Sequence, residues 1–391
     1  MSHVLLWAAL LFVQDDDGKP NPSSGGVNEV KVSQAIERGI AYLRTAPSPD
    51  LKGAYQNSDE LILLTFIHAG VPPTDPKVLE LFKSVTSAPL KRTYKVALLA
   101  MCLEALDRVA YQEKLAQCAQ FLVDNQCTNG QWTYGQQLES GANVAVPDPQ
   151  ARKEVASGGS KPKGGKVKPP KKITIKKTQD GGDAGDNSNS LYAALGLRAC
   201  FDANIEIPEA TLTSAVKWWR EAQFSQLNRN DKAGRKAVAS GPAVKLPPQG
   251  WNYKTPALDE RAPYPAMSAG ALGSLVCCLH MQKKDWKKDP TVQSAMDWMA
   301  EKFEIQAWNG YYMYSLERAG ILYGTETFGT RHWYREGANA LLGTQHADGS
   351  WGEDTEGATG GTWYGKTWDS CFSVLFLRRA TRPLVASGGG K

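Results

Sequence analysis

Gln126-Cys-Thr-Asn-Gly130-Gln-Trp132 and Gln345-His-Ala-Asp-Gly349-Ser-Trp351 share one pattern: a Gln, three residues, a Gly, one residue and a Trp. A pattern repeated far apart in a chain marks a repeated structural unit. In both copies a helix-like apolar stretch precedes the Gln (115–125 and 334–344), and a second helix of smaller residues follows the Trp at some distance. The motif therefore reads as the turn inside an αα-hairpin. Gly130 and Gly349 permit a left-handed turn, Trp132 and Trp351 cover an exposed helix end, and the amides of Gln126 and Gln345 are suited to orphan backbone groups there. Weaker copies occur at Gly53-Ala-Tyr55, Gly250-Trp251-Asn-Tyr253 and Trp308-Asn-Gly310-Tyr311-Tyr312.

Hydrophobic periodicity outside the motif gives six hairpins. The first helices are read at 32–44, 76–85, 111–125, 208–223, 290–303 and 332–344, several opened by Pro at a helix start. The second helices are read at 58–68, 93–106, 190–201, 268–280, 312–319 and 370–379, most of them with a capping Ser or Thr. The first set is amphipathic. The second carries Ala, Gly and Leu on more than one face, as in Ala193-Ala194-Leu195-Gly196-Leu197, and helices apolar all round belong inside. The expected fold is all-α: an (α/α)6 toroid in which an outer ring of helices shields an inner one. Only a short run at Ile173–Ile175 has strand character.

The 391 residues carry a formal charge of +5 that is unevenly spread. Ten Lys or Arg against one Glu lie between Arg152 and Lys177, so the remainder of the chain is mildly acidic. This stretch falls in a Gly, Pro, Ser and Lys-rich segment, 139–186, read as a disordered insertion in the third hairpin; a smaller basic loop, 228–249, is read at the equivalent place in the fourth. The two are expected on one face of the ring, where they offer contact to an acidic partner. Lysine without interleaved aromatics provides no base-stacking surface, so specific nucleic-acid binding is not expected.

Residues 1–28 read as a leader and spacer, 29–382 as the toroid and 383–391 as a flexible tail. The apolar run Val4–Val13 is too short to span a bilayer and resembles a signal-peptide core, which points to an exported or periplasmic protein. No Lys or Arg precedes it, and a cytoplasmic location stays open. No transmembrane segment is expected. Seven Cys, odd in number and set in apolar helix patterns, read as buried thiols.

With the hairpins and turn motifs in place, the chain resembles the prenyltransferase and squalene-cyclase repeat superfamily over about 32–382, insertions excluded. That resemblance implies an α/α toroid around a central cavity, and within it an apolar ligand such as an isoprenoid. The class II cyclases of the superfamily protonate an alkene with an Asp at the mouth of an inner helix. Asp369, in Thr367-Trp368-Asp369-Ser370, holds the similar position and is the candidate acid; the bland alternative is a helix N-cap. Protein prenyltransferases hold Zn²⁺ with Asp-x-Cys and a distant His. Asp369 and Cys371 resemble two of those ligands, with only His68 as a substitute third, so no cofactor is the main expectation and zinc a minor one. The thioester sequence Cys-Gly-Glu-Gln, aspartate-rich diphosphate motifs, phosphate-binding glycine loops and nucleophile elbows are absent.

The segment from Trp308 to Arg318 holds the remaining candidates. Tyr314 and Glu317 share a helix face and join Asp369 as candidate catalytic residues; Tyr311, Tyr312, Trp308, Trp368 and Cys371 are candidate substrate contacts. The alternative is packing, with Glu317 paired to Arg318 or Arg331. Three functions therefore stand: a cyclase- or prenyltransferase-like protein with an apolar ligand; a non-catalytic interaction scaffold; and a carbohydrate-processing toroid using Glu317 and Asp369 as paired carboxylates. A dry cavity favours the first, a filled centre the second, an open wet groove the third.

Overall fold

A computed structural model describes residues 26–46, 59–137, 144–149, 171–224, 246–254, 262–353 and 365–384. Twelve α-helices follow one another among these residues: α1 Glu29–Thr45, α2 Asp59–Ala69, α3 Pro76–Ser87, α4 Thr93–Asp107, α5 Gln112–Asp124, α6 Asn187–Asp202, α7 Glu209–Phe224, α8 Pro265–Met281, α9 Pro290–Glu301, α10 Gly310–Tyr323, α11 Trp333–Thr344 and α12 Lys366–Arg378. Each expected helix is present, with its ends shifted by a few residues. The protein is helix-rich, with two short two-stranded pairings: β1 (Ile173–Thr174) runs parallel to β2 (Ile205–Glu206), and β3 (Thr327–Phe328) antiparallel to β4 (Arg331–His332).

Burial separates the helices into two sets. The odd-numbered α1 buries Val32, Ala35, Ile36, Gly39, Ile40 and Leu43, one stripe at helical spacing. The even-numbered α6, α8 and α12 bury unbroken runs, 189–200, 266–279 and 369–377, and so have no open face. Helix α2 packs on α4, α4 on α6, α6 on α8, α8 on α10 and α10 on α12; α12 then packs on α2. The odd-numbered helices pack against members of this cycle, α3 on α2, α5 on α4 and α6, α7 on α8, α9 on α8, and α1 on α12 and α2.

The Gln and Trp of the turns tie neighbouring hairpins together. Trp132 Nε1 donates to the Leu122 carbonyl (2.6 Å) and Trp351 Nε1 to Leu341 (2.8 Å), in the last turn of the preceding helix. The indole, and not the Gln, thus satisfies helix-end carbonyls. Gln126 Nε2 donates to Gly130 O and onward to Thr211 O of α7 (2.9 Å); Gln345 Nε2 donates to Gly349 O and onward to Ala35 O of α1 (2.9 Å). Each Gln therefore links its turn to the next outer helix, and the last copy reaches the first helix. Gly130 and Gly349 are required twice over: φ is +93° and +89°, and a Cβ would lie 2.3 Å from Ser214 O or 2.4 Å from Arg38 O.

A third copy is present in the fourth hairpin. Gln223 Nε2 donates to Gln249 O and Thr291 O, and Trp251 Nε1 to Trp219 O. Its insertion therefore lies between the Gln and the Trp, whereas that of the third hairpin follows Trp132, so the two are not at equivalent places. Residues 150–170 and 225–245 lie outside the described residues. The end of the expected disordered insertion is placed: β1 pairs with the α6–α7 connection, Thr178 donates to Asp124, and Asp186 caps α6 through Asn189 N.

The inner-helix serines differ from the expected caps. Caps are Asp186, Tyr264 and Gly365, while Ser190, Ser268 and Ser370 lie inside their helices and accept the backbone N–H of Trp132, Trp251 and Trp351 (3.0, 2.9 and 2.9 Å). All seven Cys are buried and free. Among the described residues no helix is long and apolar enough to cross a membrane.

Candidate functional site

Asp369 lies in the first turn of α12, three residues inside the helix, and is not its N-cap. Its Oδ1 accepts the backbone N–H of Gly310 at 3.0 Å, at the start of α10. Gly310 and Gly352 close around the carboxylate so tightly that a Cβ would stand 2.6 Å from Oδ1 at the first and 2.2 Å from Oδ2 at the second. Burial pushes the carboxyl up to about 7 against the opposing effect of the Gly310 N–H, so a proton is held near neutral pH.

Glu317 lies two turns further along α10, about 10 Å by helix rise. It is fully buried and accepts from Thr381, from the backbone N at 2.9 Å and from Oγ1 at 2.6 Å. Burial raises it to about 7, while these hydrogen bonds and the charges of Arg318 and Arg379 act in the other direction. Asp369 is thus engaged at the start of α12 and Glu317 just beyond its end. The structure does not bring the two carboxylates together.

Aromatic side chains of α10 and α12 pack against one another near these two carboxylates. The Tyr314 ring stacks on Phe372, with centroids 5.6 Å apart, and Tyr311 meets the same Phe372 edge-on at 6.0 Å. Arg318 Cζ lies 3.5 Å from the Tyr314 centroid and 5.5 Å from that of Tyr192, which gives the buried cation two aromatic faces. Its Nε and Nη2 have no hydrogen-bond partner among the described residues. Arg331, the other partner expected for Glu317, pairs with Glu336.

The remaining candidates are dispersed. Tyr312 is fully buried and its hydroxyl donates to Glu304 O (2.7 Å), while Tyr311 OH meets Ser188 Oγ at 3.3 Å. Trp308 is 72% exposed, outside any enclosed wall, and Trp368 is partly buried against the core. Cys371 is buried, its thiol pushed up to about 12 by burial and hydrogen-bonded to Thr65 of α2. Asp369 therefore faces α10 and Cys371 faces α2, on opposite flanks of α12, so the Asp-x-Cys fragment does not converge. His68 lies at the far end of α2, its carbonyl held by Arg378 Nε (2.9 Å), and burial with Arg378, Arg382 and Arg318 lowers its ring to about 4. Among the described residues no three His, Cys, Asp or Glu gather into a metal-binding group.

Sequence reading missed the segment 380–384, which follows α12 and reaches α4, α6 and α10. Thr381 engages Glu317, Arg382 pairs with Glu104 of α4, and Arg198 of α6 donates to the Arg382 carbonyl. The Thr381-Arg382-Pro383 tripeptide itself carries no periodic signal. A shallow groove of about 260 Å³ lies between α1 and the end of α2, lined by Ile36, Ile40, Arg44 and Val71. Compared with protein-family models and with curated proteins, the chain matches none.

Proposed function

We propose that the chain is a closed (α/α)6 toroid of the prenyltransferase and squalene-cyclase repeat type whose centre is packed, and that it acts as a non-catalytic interaction scaffold. One observation carries this reading: α6, α8 and α12 are buried through more than a full helical turn, so the faces they turn toward the axis are covered as completely as those they turn outward. An internal cavity large enough for an isoprenoid would leave such faces accessible to water. Tyr314, Phe372, Arg318 and Tyr192 occupy the space instead.

The same packing weighs against the other two functions. Asp369 has the raised protonation an alkene-protonating acid needs, but it is wedged between Gly310 and Gly352. Glu317 and Asp369 belong to opposite ends of α12, without a shared opening for a glycosidic bond.

Incubating the full chain with squalene, polyprenyl diphosphates and oligosaccharides, then analysing products, tests the reading. No conversion is expected above that of the Asp369→Asn chain. Turnover that disappears in Asp369→Asn would overturn the scaffold assignment.

A further inference from the structure

Helix α12 is finished before the chain reaches residue 381. Arg379 N donates to Phe376 O (2.9 Å) and Ala380 N to Leu375 O (3.1 Å), which closes the helix end, and Arg378 Nε holds the His68 carbonyl of α2 (2.9 Å). The contact cycle from α2 round to α12 is therefore complete without the residues that follow. Arg379 takes a left-handed backbone, φ +48°, which costs a non-glycine residue free energy, and it turns the non-helical segment 380–384 back toward α10, α4 and α6.

Thr381-Arg382-Pro383 is then held as a ligand would be, by side chains from three inner helices. Glu317 of α10 accepts the Thr381 backbone N–H (2.9 Å) on one oxygen and the Thr381 hydroxyl (2.6 Å) on the other. Glu104 of α4 accepts Arg382 Nη1 at 2.5 Å. Arg198 of α6 spreads its fork over two successive carbonyls, Nη1 to Arg382 O (3.0 Å) and Nη2 to Pro383 O (3.4 Å). The receiving groups belong to the ring and are held there: Glu317 and Arg198 are buried, the Glu104 side chain is 12% exposed against 52% for Arg382, and Arg198 stands at ion-pair distance from Asp202 (2.9 Å). Each contact reads a different feature of an extended peptide: a hydroxyl residue, a cation after it, and two carbonyls, the second on a Pro that brings no N–H to satisfy. Buried carboxylates and a buried guanidinium need partners, and three of them offered to one short segment from separate helices form a preorganised receptor.

We propose that Glu317, Glu104 and Arg198 form a peptide-docking site occupied in cis by Thr381-Arg382-Pro383, and that an extended segment of a partner protein with the same order of groups, hydroxyl residue, Arg and Pro, binds by displacing it. The proposal rests on the scaffold reading and supplies its partner. A tethered segment competes at an effective concentration of about millimolar, so the site stays closed to weak peptides. Displacement also frees Arg379 to leave its left-handed conformation, which offsets part of the cost of exchange.

The test titrates a fluorescein-labelled peptide with the sequence of residues 380–384 into the full chain and into the full chain carrying Thr381→Val and Arg382→Gln, which loosen the cis segment. Anisotropy is expected to show the loosened chain binding the peptide at least about tenfold more tightly than the parent. Glu104→Gln added to the loosened chain is expected to cut that binding at least about tenfold, since a charge-assisted bond is lost. Absence of binding to the loosened chain, equal binding by both chains, or binding indifferent to Glu104→Gln overturns the proposal. Should the loosened chain not fold, hydrogen exchange in the parent decides: excess unlabelled peptide must accelerate exchange of the Thr381 amide, and unchanged exchange overturns the proposal. Dimerisation of the parent that the peptide disperses would make the occupant the same segment of a second copy, and overturns a foreign partner. None of these results bears on turnover, so failure here leaves the packed centre standing, and turnover with intact peptide binding removes only the scaffold reading.

Discussion

At the residue scale, the turn Gly and the buried carboxylates do different work. Gly349→Ala places a Cβ 2.4 Å from Arg38 O at a φ of +89°, so it is expected to cost ~2 kcal/mol or more, read as a lowered midpoint in urea. Gly343, whose added Cβ meets nothing within 4 Å, serves as the control, with Gly343→Ala neutral or slightly stabilising. Asp369 and Glu317 both hold their protons up to about 7 because burial penalises the charged forms. Their folded values lie above the unfolded ones, so the neutral forms stabilise the fold fully below about pH 4, and that contribution is lost as pH rises through 7. Asp369→Asn keeps an acceptor for Gly310 N and removes the titration. It is therefore expected to match the parent at pH 4 and to exceed it in Tm at pH 8, by on the order of 1–3 kcal/mol in stability. Equal Tm differences at both pH values would contradict the buried, protonated state. Such chemistry was only half legible: Asp369 stands out in the sequence, but its enclosure by Gly310 and Gly352 comes from chain segments that no local pattern connects.

At the element scale, the helices were legible because period and composition agree. A 3.6-residue apolar stripe marks α1, and all-round Ala, Gly and Leu mark α6 and α8, whose burial then follows. The cross-element bonds were not legible. Gln223 belongs to the same motif as Gln126 and Gln345, but the loop before Trp251 hides the spacing, and the geometry alone reunites them. Ser near a helix start reads as a cap, but the hydroxyls of Ser190, Ser268 and Ser370 accept the turn Trp N–H instead. Ser370→Ala leaves the Trp351 N–H buried without its partner and is expected to lower stability by about 1–3 kcal/mol, measured by urea unfolding. Ser370→Thr, which retains an acceptor, should recover part of that loss. The C-terminal segment makes the other test: Thr381→Val removes the Oγ1 bond to Glu317, so faster hydrogen exchange is expected in the second half of α10 and at the end of α12 ahead of the rest of the molecule.

At the scale of the whole molecule, the contact cycle from α2 through α12 and back to α2 joins the two ends of the chain, reinforced by Gln345 and Arg38 across α11 and α1. An open array frays from its termini, whereas a closed one has no terminal unit. A single unfolding transition, with α1 and α12 protected to the same degree in hydrogen exchange, is the expected behaviour, and early loss of α1 alone would contradict closure. The sequence points to a ring through its alternation of amphipathic and all-round apolar helices, but not to the state of the centre, since aromatic residues suit a cavity wall and a packed core equally. Tyr314 stacks on Phe372 and carries Arg318 on its ring, the contacts on which the proposed packed centre rests. The decisive measurement is native mass spectrometry of the purified chain combined with organic extraction of the same sample. The packed centre predicts a mass equal to the polypeptide alone and no stoichiometric small molecule in the extract; a bound apolar compound at one per chain, released on unfolding, would contradict it.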